Sequence, residues 1–347
     1  MQIEQFLREV TFLLGLSGNE QEAARYVAKA FEPLCDEVHM TPLNSVVGYK
    51  KGTGNGPKVM FAAHIDEIGL NVTKIEEDGS LRMGSIGGVD PRILPGMRVR
   101  VHGRETLLGV VGAKPPHILT EEERKKNYKR DDLAVDLGMP AKKVKELVQV
   151  GDLIQLEHRF VELKNGRFTT KTADDRACVA ILYEAMKLLQ GRTHEADLFF
   201  VATSQEEIGA NGAMTAAFAV DPDFGVALDV CHASTPDAPK EATSDLVGLD
   251  SAIGPFIQPV LRKKLMDVAA KENVVVQSSV SPGRTGTDAD VMGITRAGIP
   301  MVLLSLPLKY MHTTVELFDM RTLEEGGRLI AAFSCAVKNT WEDELWT

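Results

Sequence analysis

Apolar residues recur three and four places apart over residues 3–16 and again over 20–34, the spacing that lines one face of an α-helix. Ser17-Gly18-Asn19 between them supplies a break and an N-cap for the second helix. Residues 37–40, 46–51 and 58–63 read as strands, with Gly52-Thr53-Gly54-Asn55-Gly56 as the turn before the last. Residues 59–63 are apolar at every position, as a strand covered on both faces must be. After Leu70 the texture changes. As far as about Gly166, short β-type runs are punctuated by glycines, which suits a small β-barrel; a charged segment over 120–132 interrupts them and reads as a solvated loop or short helix. From Thr172 the helix–strand alternation returns, with helices expected over 173–190, 258–272, 288–297 and 323–340. Strands are expected over 196–203, 225–229, 274–278 and 300–306. The chain therefore reads as an α/β domain in two pieces, 1–69 and 167–347, around a β-rich insertion over 70–166.

Composition narrows the function classes. The 347 residues are 44% hydrophobic and 25% charged, enough to build a sizeable core. A formal net charge of −10 argues against nucleic acid or an anionic membrane as partner, since both demand dense Lys/Arg patches. The four cysteines are far apart and form no Cys-x-x-Cys pair, so neither a thiolate zinc site nor a disulfide framework is expected. No run approaches the roughly 20 apolar residues of a membrane-spanning helix. Glu4, Arg8 and Glu9 mark the N-terminus as an amphipathic helix and not a signal peptide. The expectation is a soluble, cytoplasmic protein.

Five short segments put metal-capable side chains just past apolar, strand-like runs. They are His64-Ile65-Asp66-Glu67, Asp174-Asp175-Arg176, Glu206-Glu207, Asp229 and His312. His64 and Asp66 lie two apart, on one side of an extended chain, and Asp66 could take the second N–H of a metal-bound imidazole or help hold the metal. Asp174 and Asp175 open a helix, where one acid would serve as a cap. Two exceed that need, a carboxylate can bridge a metal pair, and Arg176 could orient the second acid. Glu206-Glu207 stands where a parallel sheet opens into its ligand crevice, so one could bind metal while the other acts as a base. Asp229 ends an apolar strand and needs a cation, metal or arginine, to offset its burial; His232 has a supporting place three residues on. Asp288 opens a helix and reads mainly as its cap. Each site alone has an ordinary structural explanation. Together they supply the nitrogen and oxygen donors of two divalent cations, and hence the chemistry of a metal-activated water.

These residues sit in Ala63-His64-Ile65-Asp66-Glu67-Ile68-Gly69, Gln205-Glu206-Glu207-Ile208-Gly209, Ala227-Leu228-Asp229-Val230, Gly286-Thr287-Asp288-Ala289 and Tyr310-Met311-His312-Thr313. With Asp174-Asp175-Arg176, they make the chain resemble, along its whole length, the tetrahedral dinuclear-metal aminopeptidases, a family that includes glutamyl and deblocking aminopeptidases and cellulase-M-like proteins. The resemblance implies a mixed-sheet, zinc-peptidase-like α/β/α catalytic domain with an inserted β-barrel dimerisation domain. It implies that His64, Asp174 and Asp229 hold one cation and Asp174, Glu207 and His312 the other, with a cis Asp174–Asp175 bond. Glu206 would be the catalytic base and Asp66 the partner of His64. Met311 and Thr313 depart from the commoner aliphatic residue and serine. The implied substrate is a peptide with a free N-terminus, and dimers are implied to assemble into a dodecamer. The all-N/O donor set suits zinc or cobalt and admits manganese.

Three other readings use the same residues. A glycoside hydrolase would set Glu206 and Glu207 across a glycosidic bond, but adjacent residues rarely span the ~5–9.5 Å required, and the histidines go unexplained. An N-acyl amino acid deacylase would keep the metals and change the substrate. A non-catalytic assembly subunit would have no use for Glu206.

Overall fold

A computed structural model describes every residue except Asn55, Asp237, Trp346 and Thr347, and every side chain but theirs and those of Glu344 and Leu345. Asn55 in the expected glycine-rich turn thus lies outside the described residues. The fold is mixed α/β, in two compact units. The first comprises residues 1–66, 160–311 and 315–347; the second comprises 67–159 and 312–314.

An eight-stranded mixed sheet forms the middle of the first unit among the described residues. Its order is Glu37–Met40, Val46–Lys50, Asp197–Thr203, Lys58–His64, Phe224–His232, Met301–Leu308, Leu249–Asp250 and Val276–Gln277. The four central strands, Asp197–Thr203 through Met301–Leu308, run parallel and are buried over most of their length. Strand alternation divides their side chains between two cores. Val59, Phe61 and Ala63 join a core covered by the helices Ile3–Phe12, Gln21–Phe31, Ala173–Leu188 and Met320–Ala336. Met60 and Ala62 join a second core on the other face, under the helix Asn211–Val220 and the short helix Asp288–Met292. Two apolar layers against one sheet explain why these strands carry no polar face.

The N-terminal helix buries Ile3, Phe6, Leu7 and Val10, a helical stripe, with the Phe6 ring stacked 4.4 Å from that of Tyr183. It ends at Phe12, short of the expected residue 16, because Leu13 is extended and the chain turns inward. The expected cap from Ser17-Gly18-Asn19 is not found; Glu20 holds that position, and the Ser17 hydroxyl is committed elsewhere. The expected ten-residue helix from Asp288 stops at Met292, ahead of Arg296 and Gly298, both at positive φ. Helix Asn211–Val220 and strand Glu316–Asp319 have no counterpart in the hydrophobic pattern. The latter joins a separate three-stranded sheet with Val161–Glu162 and Arg167–Thr170.

The second unit is a closed barrel of strands Gly69–Ile75, Leu81–Ile86, Leu133–Asp136, Thr106–Ala113, Arg98–His102 and Leu153–Leu156. Its interior holds Leu70, Val72, Leu81, Val99, Val101, Val111, Val135 and Ile154, the inward set of the alternating strands. The charged 120–132 segment contains the single-turn helix Glu121–Arg124, closed by a Thr120/Glu123 capping box. No helix among the described residues is long and apolar enough to cross a membrane.

Candidate metal centre

Parallel register brings the first candidates together. His64 pairs with Thr203 at the end of its strand, and Ala62 pairs with Ala227. His64 and Asp229 each stand two residues beyond that last pair, on the face shared with Ala62 and Ala227. This is the carboxyl end of the parallel strands, where open α/β sheets bind ligands.

Asp174 arrives from the helical face. Thr172 adopts a left-handed conformation, the Asp174–Asp175 peptide is cis, and neither aspartate has helical backbone angles. The side chain of Asp174 reaches the strand ends. Its Oδ1 lies 3.2 Å from His64 Nε2, and its backbone N–H donates to the buried Glu316. Donor atoms of His64, Asp174 and Asp229 all lie within 4.8 Å of one another. Ligands about 2.0–2.1 Å from a tetrahedral zinc sit about 3.3 Å apart, so the His64–Asp174 separation fits two donors to one ion.

Glu206 and Glu207 occupy the loop between Thr203 and the helix Asn211–Val220. Gln205 and Ala210 take positive φ at its two bends. Donor atoms of His64, Glu206 and Glu207 form a second group within 4.8 Å, and Glu206 Oε2 is 3.9 Å from His64 Nε2. The fully buried Asp66 carboxylate ties these parts together. Its Oδ1 accepts the Glu206 N–H at 3.0 Å and lies 3.5 Å from His64 Nδ1; its Oδ2 accepts the Glu207 N–H at 3.2 Å. His64 Nδ1 also lies 3.2 Å from the Asp66 carbonyl oxygen. That hydrogen bonding leaves Nε2 as the donor facing Asp174.

The charge balance is the diagnostic feature. Burial raises the Asp229 carboxyl well above its ordinary 3.8, Asp175 and Asp174 add to the rise, and His64 opposes it. Burial likewise pushes Glu206 up to about 8; His64 opposes this, and Asp288, Glu207 and Asp66 add to it. Burial works against protonation of His64, but its hydrogen bonds to Asp174 and Asp66, with the Asp66 and Glu206 charges, raise it well above 6.5. One imidazole cannot balance this many buried carboxylates. Divalent cations would, and the site's nitrogen and oxygen donors fit zinc-like ions.

Two expectations about neighbouring residues are corrected. Arg176 does not orient Asp175. Its buried guanidinium donates to the Val10, Leu13 and Ile65 carbonyls, because the irregular start of its helix turns it towards the N-terminal segment. Asp288 is not the cap of its helix; the Thr287 hydroxyl is, accepting from Ala289 N–H. Asp288 instead turns inward, accepts the Thr203 hydroxyl at 2.5 Å, and keeps a buried Oδ1 with no hydrogen-bond partner. Burial lifts it to about 6. Glu316 and Ser17 were absent from the sequence-derived set, and nothing local to either marks it.

His232 is exposed at its strand end. His312 groups with the barrel unit, where its Nδ1 lies 3.1 Å from the Gly88 carbonyl oxygen. An Nδ1–H donating there leaves the Nε2 lone pair for another partner.

Comparison with known proteins adds family context. The model of the M42 glutamyl aminopeptidase family matches residues 44–329. The lysyl aminopeptidase of Pyrococcus furiosus is 37% identical over 334 residues, spanning 94% of this chain and 95% of that protein. The solved TET aminopeptidase of a marine sediment Thaumarchaeota archaeon superposes with a TM-score of 0.93 at 31% identity, covering 99% of this chain and 98% of that one. The Pyrococcus horikoshii TET1 peptidase, described as able to assemble into a tetrahedron or a large octahedral shell, gives 0.82 at 28% identity, covering 96% and 99%.

Proposed function

The chain belongs to the M42 glutamyl aminopeptidase family, and from that premise we propose that its strand-end cluster is a dinuclear metal centre that removes N-terminal residues from peptides. The observation that carries the reading is the convergence of buried His64, Asp174 and Asp229 donors within 4.8 Å. These three would hold one divalent cation. Asp174, Glu207 and His312 would hold the other, with Asp174 shared. Zinc or cobalt suits the donor set, and manganese is admitted.

Bound cations supply Lewis acidity and make a water acidic enough to give hydroxide near neutral pH. The protein's own part is proton handling and positioning. Glu206 takes a proton from the attacking water and returns one to the departing amine; its burial, which strengthens its hold on a proton, suits the second step. Asp66 fixes the His64 ring and the Glu206–Glu207 peptide. The carboxylate-rich surroundings favour the cationic terminus of an unblocked peptide.

Glu206→Gln keeps the size of the side chain and removes the base. The variant should bind zinc in wild-type stoichiometry and lose about 10²–10⁴-fold in turnover of aminoacyl chromogenic substrates. Wild-type turnover would remove Glu206 from the mechanism. Chelation should abolish activity, and acetyl-blocked peptides should resist the wild-type enzyme.

We infer in addition that the barrel unit mediates dimerisation on the way to a dodecamer. Leu108 and Val110 of the barrel are 67% and 48% exposed, apolar surface that a partner would cover. Light scattering should give twelve chains of 37.9 kDa per particle. A monomer at micromolar concentration would contradict this.

A further inference from the structure

The segment between the first two helices reaches the metal-ligand cluster, and its backbone is held in place for that purpose. Helix Ile3–Phe12 ends in an extended Leu13, and Arg176 gathers the chain ends around one guanidinium. Nη1 donates to the Val10 carbonyl at 2.6 Å and the Leu13 carbonyl at 2.9 Å, while Nε donates to the Ile65 carbonyl at 2.8 Å. The residue immediately before Asp66 and the N-terminal segment are thereby fixed to the same rigid group. Gly15 makes this possible, because a Cβ there would collide with the guanidinium. Beyond it, Gly18 takes φ +84°, Asn19 N–H bonds the Leu16 carbonyl, and the Glu20 carboxylate accepts from Gly18 N–H at 2.6 Å.

This scaffold presents Ser17, which is 5% exposed, to the fully buried Asp66. The Ser17 hydroxyl donates to Asp66 Oδ2 at 2.6 Å, the shortest hydrogen bond that carboxylate makes. Its other partners are the parts that must be held still: the Glu206 and Glu207 N–H groups, which donate to it, and the His64 ring, whose Nδ1 lies 3.5 Å from its Oδ1. A carboxylate can rotate about its Cβ–Cγ bond. The hydroxyl, arriving from a separate element, adds a third hydrogen bond to the two N–H groups that hold the carboxylate oxygens.

We propose that Ser17 is a positioning residue of the centre, acting through Asp66 to hold His64 and the Glu206–Glu207 peptide in register for metal binding and turnover. The proposal rests on the metal-centre reading above. Partners that orient a metal-bound histidine are typically worth 10–100-fold in affinity or activity, and Ser17 acts one bond further out, so an effect of about tenfold is expected.

The test compares wild type, Ser17→Ala and Ser17→Thr as full-length proteins. Zinc affinity is measured by competition with a chromogenic chelator, kcat and KM at saturating zinc, and stability by urea unfolding. Ser17→Ala should lose about tenfold in zinc affinity and about tenfold in kcat, with KM within about twofold. Ser17→Thr, which retains the hydroxyl, should restore most of both. Wild-type zinc affinity and kcat in Ser17→Ala would overturn the proposal. So would losses in Ser17→Thr equal to those in Ser17→Ala, or a fall in urea midpoint with affinity and kcat unchanged. If wild type itself takes up no zinc, the metal-centre reading fails and this proposal with it; if wild type binds zinc and Ser17→Ala matches it, only the role of Ser17 fails.

Discussion

Removing the metals should reverse how this protein's stability depends on pH. Without cations, burial holds Glu206 at about 8 against its ordinary 4.5, and Asp288 at about 6 against 3.8. The Glu206 side chain is only 14% exposed, so solvent screens little of this. A group whose folded pKa is raised binds protons more tightly in the folded chain. Its stabilising contribution is complete below the unfolded value and is lost as pH rises through the folded one. His64, raised well above 6.5, acts in the same sense. Asp66, which is lowered, acts in the opposite sense, at pH values near and below 3.8. At about 1.4 kcal/mol per pKa unit, Glu206 and Asp288 together should cost the metal-free protein roughly 3–4 kcal/mol between about pH 5.5 and about pH 8, most of it from Glu206, and the raised Asp229 adds to the loss in the same sense. That is a large part of a typical stability of about 5–15 kcal/mol. Bound cations keep the carboxylates ionised and their uptake releases protons, so stabilisation by metal grows as pH rises. The assay is urea unfolding of chelator-treated and zinc-loaded protein across this window. The midpoint of the chelated form should fall by about 1 M, and the gap between the forms should widen. Parallel curves, or a chelated protein that gains stability with pH, would refute the electrostatic account of the cluster.

Two further outcomes follow from named contacts. Asp174→Ala should lose both cations together if, as proposed, its carboxylate is shared between them; metal analysis that finds one zinc retained per chain would contradict a bridging role. Gly15→Ala should destabilise the protein by about 1–3 kcal/mol, because its Cβ has no room beside the Arg176 guanidinium. Thermal unfolding of that variant at the wild-type midpoint would show that the segment yields freely.

The central strands were legible because each is buried on both faces over most of its length, so 59–63 and 198–202 had to be apolar throughout. The barrel was legible from short runs divided by glycine. Helix Asn211–Val220 was not. It is rich in alanine, carries Gly212 close against the Ser204 backbone in its first turn and has Ala210 at the cap position, so its sequence shows neither an amphipathic stripe nor a conventional cap. The helix from Asp288 was overextended because its apolar spacing continues past Met292, whereas the backbone leaves the helix there.

Sequence alone determined which side chains end the apolar strands and therefore which donors stand at the sheet's carboxyl edge. Alternation and strand burial are local rules, and they place His64, Asp229 and the Glu206-Glu207 pair without knowledge of the rest. Tertiary structure decided what those donors touch. The Ser17–Asp66 contact spans 49 residues, Asp288 meets Thr203 across 85, and Arg176 binds carbonyls more than 160 positions away. Such pairings leave no trace in local periodicity, because a hydrogen bond between distant segments is specified only once the core has fixed where each segment lies.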